Sequence, residues 1–160
     1  REAVDSGGSQ FAFSPDGASD LTLEMLRKEM RVKHIEQAVS SISQVDGARV
    51  SFGFLYDLPF NNKEHVIGLA RLVPKMIMTL REKLLFISIT KMRIYPLCPL
   101  HDIAIREGWV NSNASLLYPR YYSGTPRLSF EKLVTELIEK LVYVHSVAAG
   151  KFRLEELSSK

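Results

Sequence analysis

Residues 48–95 read ARVSFGFLYDLPFNNKEHVIGLARLVPKMIMTLREKLLFISITKMRIY. The hydrophobic period changes twice along this stretch, and that decides the fold. Ala48 to Tyr56 alternates, with Val50, Phe52, Phe54 and Tyr56 on one face, as a half-buried strand does. Leu58-Pro59-Phe60 breaks the strand, Asn61-Asn62 caps a helix, and Glu64 is placed as the capping-box partner of Asn61. Val66, Ala70, Val73, Ile77, Leu80 and Leu84 stay on one helical stripe across Pro74, which predicts one kinked helix rather than two. Alternation returns from Leu85 to Tyr95, a second strand. Strand, helix and strand with short connections make a right-handed βαβ unit if the strands are parallel.

On the N-terminal side, Asp20 caps a predicted long helix that runs to about Gln44 and stops at Asp46-Gly47. Leu21, Met25, Val32, Ile35, Val39 and Ile42 share its core stripe, while Leu23, Leu26 and Met30 form a second stripe on the opposite side. A helix with two apolar faces needs a second layer or a partner. Residues 1–20 are rich in Gly, Ser and Asp and read as a flexible lead-in. Phe11 and Phe13 alternate as a strand would, suited to docking on a sheet edge of this chain or of another copy.

On the C-terminal side, Pro96 to Pro99 ends the second strand, and Asp102 caps a short helix closed by Gly108. Residues 111–115 are a loop, and Leu116 to Tyr122, interrupted by Pro119, make at most an edge strand. Ser129 caps the last long helix, with Phe130, Val134, Leu137, Leu141, Val144 and Ala148 toward the core and Gly150 as its stop. Residues 151–160 are a charged tail. The expectation is α+β: three long helices on a two- to three-stranded sheet, one domain over residues 21–150.

A chain of 160 residues with 46% hydrophobic and 24% charged side chains carries a globular core and is not disordered. It has no apolar run of membrane-spanning length and no basic-then-apolar signal pattern. One cysteine excludes an internal disulfide, so a reducing cytoplasmic or nuclear setting is expected. GxGxxG and P-loop patterns are absent, no metal-ligand spacing occurs, and no cofactor is expected. Cys98, His101 and Asp102 are the only catalytic residue types close in sequence, in a Pro-bracketed turn that does not aim one at another. No catalytic residue is assigned. Asn113-Ala114-Ser115 matches a glycosylation acceptor and reads as a polar loop.

Residues 63–93 hold seven basic and two acidic side chains, a local +5. Arg71, Lys75, Arg81, Lys83, Lys91 and Arg93 offer a phosphate-contacting surface, or else a solvated helix face. Arg120, Tyr121 and Tyr122 interleave cation and ring as base-stacking loops do, and with Tyr118 they equally suit a protein interface. Trp109 reads as a lid on the core. The first function expected is therefore a non-enzymatic interaction or assembly module, a homodimer or a partner of another protein. Its interface would hold Leu23, Leu26 and Met30, with Phe11, Phe13 and Tyr118. An RNA-binding module is second and a small enzyme third.

Overall fold

Phe52 lies opposite Phe13 on one neighbouring strand and Ile87 on the other, and both pairings are parallel. The computed structural model describes residues 2–59, 63–123 and 129–148. Strands β1 (Gln10–Asp16), β2 (Arg49–Tyr56) and β3 (Leu84–Lys91) form one sheet in the order β1-β2-β3. The helices are α1 (Glu2–Asp5), α2 (Asp20–Met25), α3 (Val32–Ser43), α4 (Lys63–Leu80), α5 (Pro99–Arg106) and α6 (Ser129–Ala148). The chain is α+β as expected, with four described helices of eight residues or more: α3, α4 and α6, and α5 in the place of the expected short helix. The βαβ unit forms as the alternation implies, with α4 unbroken through Pro74. Phe60, Asn61 and Asn62 lie outside the described residues, as do Arg127, Gly150 and the tail.

The lead-in is not all loop: residues 10–16 are the edge strand β1, and the Phe13 ring stacks on Phe52 within the same chain, 5.6 Å between centroids. The first helix is two helices. Ser19, not Asp20, caps α2, its hydroxyl accepting the Thr22 N–H. Arg27 turns left-handed (φ 55°), and the Arg27 and Lys28 N–H groups bond the Glu24 and Leu23 carbonyls. That is a Schellman ending made without glycine. Asp20 instead accepts the N–H of Val32 and starts α3. The break resolves the two-stripe conflict by turning the first stripe over. Leu23 is wholly buried and Met30 packs against the core, whereas Leu21 and Met25 are half exposed.

A right-handed crossover repeated in one direction keeps its helices on one face of the sheet. The core has this one-sidedness. It takes Val50, Phe52 and Phe54 from β2 and Ile87 from β3, packed on Leu23, Ile35, Val39, Leu69, Val73, Met76 and Ile138. Gly68 lets α4 reach the loop after β1, since a Cβ there would fall 2.6 Å from the Ala18 carbonyl carbon and closer to its oxygen. A second, smaller core follows β3: Ile94, Leu100, Ala104, Val110 and Tyr122. There α5 begins with Pro99 after Cys98, earlier than the expected Asp102, and ends at Gly108 (φ 77°) as expected.

Candidate functional site

The other face of the sheet carries different chemistry. Strand alternation places Ser51, Gly53 and Leu55 of β2 there, in register with Phe86, Ser88 and Thr90 of β3. None of these six belongs to the core cluster. A Cβ built on Gly53 would stand 3.4 Å from both the Ser14 and the Ser88 hydroxyl oxygens. A hydroxyl, bare backbone and a hydroxyl thus run across the three strands. Phe86 is half exposed beside the row, and Thr90 is exposed at the carboxyl end. Glycine inside a strand marks a place of close approach. All-parallel sheets are ordinarily covered on both faces; here Ser51 is buried and Gly53, Leu55 and Ser88 are half-buried, and the face opens at Phe86 and Thr90.

Ligands of parallel sheets collect outside the carboxyl ends of the strands. Here β1 ends in Asp16 and β2 is followed by Asp57, both left-handed, φ 66° and 52°. Lys28 pairs with Asp16 at 2.5 Å. Lys91 Nζ pairs with Asp57 at 3.2 Å, donates to the Ser123 hydroxyl, and lies 5.5 Å from the Tyr56 ring centroid. Burial raises the Tyr56 phenol above its ordinary value, Lys91 opposes the rise, and Asp57 and Glu139 add to it. Behind these residues His65 is buried. Its Nδ1 accepts the Ala18 N–H at 3.1 Å, and its Nε2 lies 2.6 Å from the Leu55 carbonyl. Burial lowers its imidazole below the ordinary value, and the Leu55 bond partly opposes that.

The flanks are apolar. On α6 three of the residues expected to face the core, Leu137, Leu141 and Val144, are turned outward at 55, 39 and 61% exposed, beside Leu133 at 54%, while Val134 packs against the core as expected. Ile138 is buried instead, and Val142 also packs against the core. The inward stripe is displaced by one position because α6 lies against both α4 and β3. Beside it, the outer edge of β3 has no strand partner among the described residues.

The expected basic surface is largely occupied within the chain. Lys75 pairs with Glu36 at 2.7 Å. Lys83 donates to the Ser43 and Val45 carbonyls at 2.8 and 2.9 Å, closing α3. Arg93 lies over the Tyr95 ring at 4.9 Å, while Arg71, Arg81 and Arg120 are exposed. Tyr122, expected as a stacking residue, is wholly buried and its hydroxyl donates to Glu107 at 2.5 Å. Tyr118 and Tyr121 remain exposed. Trp109 is only a partial lid, 38% exposed and edge-on to Tyr122.

The Cys98 thiol donates to the Tyr95 carbonyl at 3.0 Å rather than pointing to a base. Among the described residues, no group of three or more His, Cys, Asp or Glu side chains is arranged to hold a metal, and no helix is long and apolar enough to cross a membrane. No family model matches the chain, and no curated protein or solved structure matches it either. Sequence reasoning missed the Ser14–Gly53–Ser88 row because it followed only the apolar half of each alternation. The signal was the run of Ser and Gly at the intervening positions.

Proposed function

We propose that the chain is an assembly module that associates with a second copy along the flank made by α6 and the edge of β3. The exposed Leu133–Leu137–Leu141–Val144 stripe carries this reading. Full burial of such a side chain contributes about 1.5–3 kcal/mol, so covering the exposed half of four contributes on the order of 3–6 kcal/mol. Glu131, Glu136 and Glu139 on the same helix outnumber Lys132 and Lys140 by only one charge, so the repulsion between two copies there is small. A two-fold axis sets like patches against each other, stripe on stripe. This keeps the expected homodimer and moves its interface away from Leu23, Leu26 and Met30. Leu137→Glu tests it by light scattering: the wild type should exceed the mass of one chain, and the variant should fall to it with an unchanged melting temperature. A wild type that stays monomeric at high concentration refutes the reading.

A second reading, binding of a small uncharged, hydroxyl-bearing ligand on the open face, is favoured by the Ser14–Gly53–Ser88 row. The row offers two hydroxyls and room for close approach, with the Phe86 ring beside it for an apolar edge. In a thermal-shift panel of polyols, sugars and nucleosides, a ligand at about a hundred times its Kd adds roughly 2.7 kcal/mol of stability. Gly53→Val should abolish that shift. A panel without any shift, or an equal shift in the variant, contradicts it.

A further inference from the structure

We infer that His65 is a proton-released latch that fastens the loop after β1 to the end of β2. The imidazole stands where the sheet ladder gives out. The β1–β2 register shifts between Phe13 and Asp16, and Asp16 opposite Phe54 is the last pair. Beyond it, the ring joins Ala18 to Leu55 through its two nitrogens. Accepting the Ala18 N–H requires a bare Nδ1, so the proton sits on Nε2 and is donated to the Leu55 carbonyl. Both backbone groups are thereby satisfied in a site where His65 is 1% exposed.

A second ring proton has one place to go, Nδ1, where it would face the Ala18 N–H, donor against donor. The latched state therefore excludes the cation. Charges on the elements packed around the ring do not offset this. Asp16 is engaged by Lys28 and Asp57 by Lys91, while Glu64 is exposed in the first turn of α4. What the latch restrains is consequential. Ser19, one residue beyond Ala18, caps α2, and Asp20 starts α3. Releasing Ala18 frees the segment on which both helix starts depend and loosens the Ser14 end of β1. The latch stands independently of whether the open face binds a ligand.

Once the loop opens, the ring regains an ordinary value near 6.5. At about pH 5, about 1.5 units lower, opening is then favoured by up to about thirtyfold. Amide exchange, corrected for its intrinsic pH dependence, reads this directly. Ala18 protection should fall, by up to about thirtyfold, between about pH 7.5 and about pH 5, and at both values should stay below that of Phe52 and Phe54, which exchange through global unfolding. In His65→Gln, whose amide has a donor and an acceptor but no titration, Ala18 protection should be flat with pH. Ala18 protection that is flat in the wild type overturns the inference, as does an equal fall in His65→Gln. Should the variant not fold, the ring tautomer of the wild type decides. Nitrogen-15 shifts must show the proton on Nε2 near pH 7.5, and a proton on Nδ1 overturns the latch.

Discussion

Gly68→Ala should destabilise the protein, although helix propensity alone gives the opposite sign. In an open helix, alanine is favoured over glycine by about 1 kcal/mol. Here the added methyl would stand 2.6 Å from the Ala18 carbonyl carbon and 3.3 Å from its Cβ, so the obstacle is backbone and cannot swing aside. Overpacking of this kind costs about 1–3 kcal/mol. If α4 backs away instead, the bond from the Ala18 N–H to His65 is stretched, a loss of about 0.5–1.5 kcal/mol. Set against the propensity gain, overpacking leaves a net loss of about 1 kcal/mol. For a chain of this length that lowers the melting temperature by about 2–4 °C. Ala70→Gly, at an exposed position two residues on, measures the local propensity in the same helix. Scanning calorimetry on the three proteins is the assay. A Gly68→Ala protein that melts at or above the wild type refutes the close approach of α4 to the β1 loop.

Lys83→Met should cost about 2 kcal/mol in a urea titration, because two charge-assisted bonds are lost, one to the last carbonyl of α3 at Ser43 and one to Val45 just beyond the helix. A change within about 0.5 kcal/mol, as for an ordinary surface site, contradicts that role. Global stability should also carry a His65 component. Its folded value is lowered, so the unfolded chain binds the proton first and stability falls as pH drops below about 6.5, by up to about 1.4 kcal/mol per unit. His65→Gln should remove that component from the difference between urea midpoints at about pH 7.5 and about pH 5.5. An unchanged difference contradicts the assignment.

The βαβ core was legible because β2, α4 and β3 keep clean periods and carry their own turn chemistry. The first helix was misread because its break is a left-handed arginine, where sequence reasoning expects glycine. Propensity does not reveal that Arg27 is tolerated in αL once Leu23 is held in the core. On α6 both Leu133–Leu137–Leu141 and Val134–Ile138–Val142 are apolar rows at helical spacing. Which row faces inward depends on where α4 and β3 lie, a tertiary fact. How the basic residues are engaged within the chain was hidden for a similar reason. Charge along the chain is visible, but Glu36, Asp57 and the end of α3 meet Lys75, Lys91 and Lys83 only in the fold. The hydroxyl row was visible all along as Ser and Gly at alternate strand positions, and gained meaning only when the helices proved to lie on one face.

Association through the α6 and β3 flank is tested most directly by amide exchange along β3, at a concentration where the protein exceeds the mass of one chain. In a parallel sheet alternate amides of an edge strand point away from the neighbour and exchange freely. When a second copy lies against that edge, the outward-pointing amides of Leu84–Lys91 should be protected nearly as well as those bonded to β2. They should lose that protection in Leu137→Glu. Outward amides that exchange at free-edge rates in the associated wild type would contradict the assembly.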